Sequence, residues 1–246
     1  MENKAEKVKP YNSEEGKKKE VEIMFDNISG KYDFLNHLLS MGIDIQWRKN
    51  LISMLAEKNP GTILDMATGT ADLAIMTAGY INTVKITGLD LSAGMLDIGR
   101  RKVAAKRLED RIQLVHGDSE EMPFESNTFD AVTVAFGVRN YENLLKGLTE
   151  AKRVLKNGGN IYILEFSKPT NIFFRFVFNL YFKFILPLVG RLTSRDPKAY
   201  KYLFESVQAF PAYEEFLGIM DKAGFKSNNY KIQSFGICSI YHGVKL

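Results

Sequence analysis

Three aspartates sit where a sequence of this kind does chemistry. Asp65, Asp90 and Asp118 lie at or just after the ends of short apolar runs, Thr62–Met66, Val84–Leu89 and Ile112–Val115. A turn of small residues, Ala67-Thr68-Gly69-Thr70, follows Asp65 and leads into a helix-forming segment. That turn has one glycine, not the three of a dinucleotide fingerprint, and it lacks the Gly-Lys-Ser/Thr of a phosphate loop. Small residues allow close backbone approach to an uncharged or zwitterionic ligand. The amides of the following helix start can receive a carboxylate, and Asp65 can pair with an ammonium. Asp90 lies 20 residues beyond Thr70 and can accept from both ribose hydroxyls. Asp118 and the backbone of Ser119 can read an adenine edge. Any strand-to-helix connection needs a turn like the first, so the ligand reading rests on all three ends together. An amino acid, a ribose and an adenine in that order describe S-adenosylmethionine.

The elements that must position these groups alternate. Strands are expected at Thr62–Met66, Val84–Leu89, Ile112–Val115, Phe129–Ala135 and Ile161–Phe166. Helices are expected from Ala71, over Ala93–Lys106 with Ser92 as cap, and over Tyr141–Leu155, ended by Gly158-Gly159. Apolar strands alternating with helices make a parallel sheet wound on both faces. Pro211–Ala223 reads as a helix, and Tyr230–Phe235 with Ile237–Val244 as an antiparallel pair. The whole is a Rossmann-like α/β sheet of seven strands, mostly parallel, with an antiparallel C-terminal hairpin and helices on both faces. That is the arrangement of the class I S-adenosylmethionine-dependent methyltransferases.

Residues 1–20 carry mixed charge and few large apolar groups, which suggests a mobile N-terminal arm. Residues 21–246 form one domain with two elaborations. A helical cap spans 21–58, with Val21, Met24, Phe25, Ile28 and Tyr32 at helical steps and Gly30 interrupting them. An apolar helical insertion spans 168–210. Within it, Ile172 to Gly190 is greasy all round except for the stripe Arg175, Asn179 and Lys183, and Pro187 marks its end. Core packing, a membrane surface or the wall of an apolar pocket each suit such a helix.

The 246 residues are 45% hydrophobic, enough for one sizeable core. A net charge of +4 without a dense basic stripe argues against nucleic acid. The single cysteine, Cys238, excludes an internal disulfide and a thiolate metal cluster, and no other metal-ligand cluster is visible. The N-terminus shows no signal pattern, and no apolar run is long enough to span a bilayer.

Two stretches are close to a known family's signatures. One is Tyr32-Asp33-Phe34-Leu35-Asn36 with Ser40 and Trp47; the other is Arg153 to Gly159 with Glu165-Phe166-Ser167. With Phe136-Gly137-Val138-Arg139-Asn140 and the segment from Tyr200 to Pro211, they make the chain, from about Val21 to its end, resemble the quinone-biosynthesis C-methyltransferases. Asp44 stands where that family usually has histidine, and Asn157 where it has proline. The resemblance implies methyl transfer from S-adenosylmethionine to a ring carbon of demethylmenaquinol, without a metal. A ubiquinone precursor, another small aromatic or lipid acceptor, a cofactor-binding protein without catalysis and a membrane-associated scaffold are the alternatives. Arg139, after the fourth strand, is the expected catalytic group, holding a quinolate or orienting a base water. A structural ion pair is its other reading. Tyr32 and Asp33 can close over the cofactor, and Tyr32, Tyr200 and Tyr202 can meet the substrate. His37, His116 and His242 are weaker candidates for a base. The expected partner is a prenylated quinol, in the cytoplasm or at the inner face of a membrane, and a homodimer stays open.

Overall fold

In the computed structural model, residues 4–40, 42–180 and 196–246 are described. The five expected parallel strands form as β1 (Thr62–Met66), β2 (Lys85–Asp90), β3 (Ile112–His116), β4 (Phe129–Ala135) and β5 (Leu155–Phe166). The tail adds β6 (Lys226–Gln233) and β7 (Cys238–Val244). They join in one sheet of order β3-β2-β1-β4-β5-β7-β6. β1 to β5 run parallel, β7 is antiparallel to β5, and β6 to β7. The order reverses between β1 and β4, which opens a crevice at the carboxyl ends of those two strands.

Alternate residues of each strand serve two cores. Leu64, Met66, Val132 and Ile161 point to one face, where α6 (Leu144–Val154) and α9 (Glu214–Lys222) cover them. Ile63, Ile86, Ala131 and Tyr162 point to the other, beneath α3 (Ile43–Ala56) and α4 (Asp72–Tyr80). Strands buried on both sides have to be apolar throughout, so the one acid inside β1, Asp65, stands out.

α1 (Lys4–Lys7) and α2 (Lys17–Leu39) lie over the crevice, and α5 (Ala93–Ala105) follows β2. The first twenty residues are folded onto the domain from Lys4 onward, and α2 begins at Lys17, four residues before the apolar stripe announces it. Charge does this work. Glu20 is buried and accepts from the amides of Tyr11, Asn12 and Ser13 at 2.6, 3.0 and 2.6 Å. Lys17, 1% exposed, donates to the carbonyls of Ala5, Arg139 and Tyr141 at 2.8, 2.8 and 3.0 Å. Gly30 does not interrupt α2, which runs through it.

Two other expectations are corrected. Gly158-Gly159 do not end a helix. α6 stops at Val154, and both glycines lie in β5 at a register shift against β4. Gly158 has φ +79, and a Cβ on Gly159 would stand 2.8 Å from the Lys156 carbonyl. The C-terminal hairpin turns through Ser234–Gly236, with Phe235 at φ 58, so the strand expected over Tyr230–Phe235 ends at Gln233. The greasy helix appears as α7 (Ile172–Leu180), followed by α8 (Pro197–Ala209). Lys183 and Pro187 fall outside the described residues. No described helix is long and apolar enough to cross a membrane.

Candidate functional site

The β1–α4 turn is built on left-handed backbone: Ala67 has φ 51, Gly69 φ 58 and Ala71 φ 65. Across the crevice, Phe136 has φ 59, an outlier for so bulky a residue. The adjoining Gly137 allows the two turns to meet, because a Cβ there would lie 2.6 Å from that of Ala67. Strain of this kind collects at sites where a ligand is gripped.

Asp65 is 2% exposed. In register it lies between Gly88 and Thr133. Its oxygens accept from the Thr68 hydroxyl at 2.6 Å and the Thr133 hydroxyl at 2.7 Å. Gly88 leaves room for this, since a Cβ would lie 2.9 Å from the Thr68 side chain. Burial pushes the Asp65 carboxyl up to about 6, against the pull of the two hydroxyls and of Arg48. Asp90 accepts from the amides of Gly69 at 2.7 Å and Ser92 at 2.9 Å, and burial raises it too. Ser92 caps α5 through the Met95 amide at 3.1 Å.

These groups line two joined spaces. A cleft of about 670 Å³, counted with its open mouth, holds Asp90, Asp118, Ser119 and the Tyr141 ring. A recess of about 340 Å³ holds Asp65, Thr68, Thr70 and Arg48. Gly69 and Tyr32 border both. Beyond Tyr32 a third chamber of about 490 Å³ is walled by Met24, Ile28, Arg139, Tyr200, Tyr202 and Leu203. Tyr32, on α2, thus stands between the cleft and recess on one side and the apolar chamber on the other.

All three substrate candidates, Tyr32, Tyr200 and Tyr202, therefore line one space with Arg139. Tyr202 donates to the Asn140 side chain at 3.1 Å, whereas the buried Tyr200 hydroxyl has no hydrogen-bond partner. Arg139 makes the structural ion pair and also lines the chamber. Its Nη1 pairs with Glu165 Oε1 at 2.8 Å and donates to the Phe136 carbonyl, while Nε is unpartnered. Burial pushes Glu165 up and Arg139 pulls it back. The histidines stand apart: His116 bonds the Leu91 carbonyl at 2.8 Å, and His242 contacts Asn160 at 2.9 Å, at the opposite end of the sheet. The side chain of His37 lies outside the described residues.

The sequence reading missed a latch. Asp26 accepts from the Ser92 hydroxyl at 2.5 Å and the Gly94 amide at 3.0 Å, an acid at the start of α5. Asp33 accepts from the Thr70 hydroxyl at 2.5 Å and pairs with Lys102 at 2.8 Å; Lys102 also pairs with Asp72. Lys18 pairs with Asp118 at 2.6 Å and Glu120 at 3.3 Å. Lys18 and Asp26 read as ordinary surface charge in sequence, because their partners lie 66 to 102 residues away. Asp118 Oδ1 also accepts from the Glu120 amide at 2.8 Å, so an adenine edge would compete with Lys18 for the outer oxygen.

The arrangement fits S-adenosylmethionine. An acid buried among hydroxyls suits the amino-acid end, a carboxylate held by two amides suits a ribose, and the buried Tyr141 hydroxyl lies beside Ser119 where the base would sit. A sheet of this order with such a crevice is the fold of the class I S-adenosylmethionine-dependent methyltransferases. The model of the ubiE/COQ5 methyltransferase family matches residues 13–245, and the chain belongs to that family. It is 42% identical to the demethylmenaquinone methyltransferase of Bacteroides fragilis over 98% of both chains. It is 44% identical to the ubiquinone/menaquinone biosynthesis C-methyltransferase UbiE of Geobacter sulfurreducens, over 90% of this chain and 87% of that one. In fold it is similar to a possible histamine N-methyltransferase of Thermotoga maritima, with a TM-score of 0.65, 17% identity and 92% and 99% of the two chains covered.

Proposed function

We propose that this enzyme transfers a methyl group to a ring carbon of demethylmenaquinol, giving menaquinol. The observation that carries it is the acceptor chamber: apolar walls, one buried cation at Arg139, and a border with the cofactor channel at Tyr32. Relatives named for demethylmenaquinone methylation support the acceptor, and one relative's name also covers ubiquinone biosynthesis, so a ubiquinone precursor is the second reading.

When bound, S-adenosylmethionine supplies an electrophilic methyl on a sulfonium, so the chain's task is alignment, exclusion of water and placement of charge. Asp65 fixes the amino-acid end of the cofactor and Asp90 its ribose. Asp118 and Ser119 receive the base. Tyr32 closes the channel over it, with Asp33 tied to Thr70. Arg139 faces the chamber with positive charge. It stabilises the quinolate that makes the ring carbon nucleophilic, or holds the water that takes the hydroxyl proton; a guanidinium keeps its own. The Tyr200 hydroxyl bonds the second ring oxygen. Residues 4–20 and α2 must swing away for the cofactor to enter, because Lys18, Asp26 and Asp33 bridge its path.

The isoprenoid tail enters along α7. Phe178 packs with Tyr200 and Val207, while Ile172, Phe173, Phe176 and Leu180 face outward, Phe176 at 65% exposure. Phe174 stacks on the exposed Phe235 at 4.2 Å. This apolar surface suits the edge of a bilayer. Phe176→Glu should lower turnover of substrate carried in vesicles and spare a short-tail analogue; equal turnover of both would remove the membrane part of the proposal. The acceptor is tested by offering labelled S-adenosylmethionine with menaquinone and ubiquinone precursors in parallel. Label is expected in menaquinol, and label only in the ubiquinone precursor would replace the first reading with the second.

A further inference from the structure

We propose that Arg48 binds the α-carboxylate of the cofactor's methionine half, with Asp44 as its orienting partner. The inference rests on S-adenosylmethionine as the ligand of the recess.

Arg48 lies on α3 at the i+4 position from Asp44, and the two pair through Nη1 and Oδ2. The helix is fixed from both sides. Trp47 donates to the Ser234 hydroxyl at 2.8 Å and its ring lies 6.2 Å from those of Phe136 and Phe166. The Arg48 guanidinium stands 5.5 Å from the centre of the Phe136 ring. Arg48 is 5% exposed and lines the recess, yet its Nε makes no hydrogen bond. A buried guanidinium offers five donors and is costly to leave half-satisfied. The unused donor and the recess belong to the same cation.

The rest of the recess shows which anion fits. Asp65 is the acid that shares it, and the field of Arg48 reaches that carboxyl. An α-amino acid carries its ammonium and carboxylate on one carbon. A recess that presents one buried acid and one buried guanidinium is complementary to that pair of charges. The start of the following helix, which the sequence offered for the carboxylate, already carries negative charge that repels a second carboxylate. Ala71 N–H donates to the Thr68 carbonyl at 3.0 Å, and the first turn of α4 already carries the Asp72 carboxylate, paired with Lys102. Asp44 accepts from the Ser40 hydroxyl at 2.5 Å, so the acid that replaces the family's usual histidine is itself held in place.

The test is isothermal calorimetry of the full chain with S-adenosylmethionine and with its decarboxylated analogue. Loss of a charge-assisted bond predicts that the unmodified protein binds the analogue on the order of ten- to a hundredfold more weakly. Arg48→Gln should weaken S-adenosylmethionine by a similar factor and bring the ratio between the two ligands to about one. A merely structural Arg48 would weaken both ligands equally and leave the ratio at its original value, which overturns the proposal. Should Arg48→Gln melt below the assay temperature, Arg48→Lys must give an intermediate ratio; an unchanged one counts against it. A ratio of about one in the unmodified protein overturns the proposal without any variant. Absence of S-adenosylmethionine binding would overturn the cofactor reading beneath it.

Discussion

Asp65 should make cofactor binding depend on pH in a calculable way. Burial holds its carboxyl at about 6, against 3.8 in a free chain. At 1.36 kcal/mol per pH unit this is about 3 kcal/mol, and no solvent discount is due at 2% exposure. An acid raised by folding contributes stability that is fully present below 3.8 and is lost as pH rises through 6. The ligand ammonium reverses that preference, because it favours the ionised carboxylate. Affinity should therefore rise with pH through 6, with about tenfold weaker binding at pH 5 than at pH 7. Near pH 6 each binding event should release about half a proton. Calorimetry in two buffers of different ionisation enthalpy counts it. Asp90, also raised by burial, adds a slope of its own, and Arg48 opposes the rise at Asp65; the comparison is therefore with Asp65→Asn. That variant should bind more weakly at pH 7 and lose part of the slope. If the unmodified protein binds equally at pH 5 and pH 7, or the slope survives Asp65→Asn in full, Asp65 does not receive the ammonium.

Three further outcomes follow from the same geometry. Glu165→Ala leaves the buried Arg139 without its carboxylate and should cost about 3–5 kcal/mol in urea unfolding, whereas Arg139→Gln should lower kcat and leave the cofactor Kd unchanged. Gly137→Ala drives a methyl against Ala67 and should lower stability by about 1–3 kcal/mol, with weaker S-adenosylmethionine binding by calorimetry. Lys17→Met orphans three buried carbonyls that include those of Arg139 and Tyr141; it should cost about 1–3 kcal/mol, speed proteolysis of residues 4–20 and reduce turnover.

The sheet was legible because its signal is local. Apolar runs such as Ile63-Leu64 and Val132-Thr133-Val134 can only be buried strands, and their alternation with helices leaves few topologies. Asp65, Asp90 and Asp118 were legible for the same reason, as polar residues at fixed places on that pattern. The latch was not. Asp26 and Lys18 look like solvated charge, and the Lys102 partner of Asp33 is invisible, until α2 is laid across α5, which is a tertiary event. Glu20 and Lys17 mislead further, since charge normally marks a tail and here both are buried as caps for loop backbone. Arg48 had a visible signal, its i,i+4 spacing from Asp44, but only Trp47 and the recess say which way that pair faces. Gly158-Gly159 shows the limit of turn chemistry: the pair suits a helix end and a strand bulge equally, and the pairing of β5 with β4 decides.

The central claim is carbon methylation of a quinol, and one product analysis reaches it directly. The purified full chain is given demethylmenaquinol and S-adenosylmethionine labelled in the methyl group, and the product's label is located by mass spectrometry and carbon NMR. The account predicts label on a ring carbon of menaquinol, abolished when Asp90→Ala removes the ribose acceptor. Label on a quinol oxygen, or bound S-adenosylmethionine with no transfer to this acceptor, would contradict it.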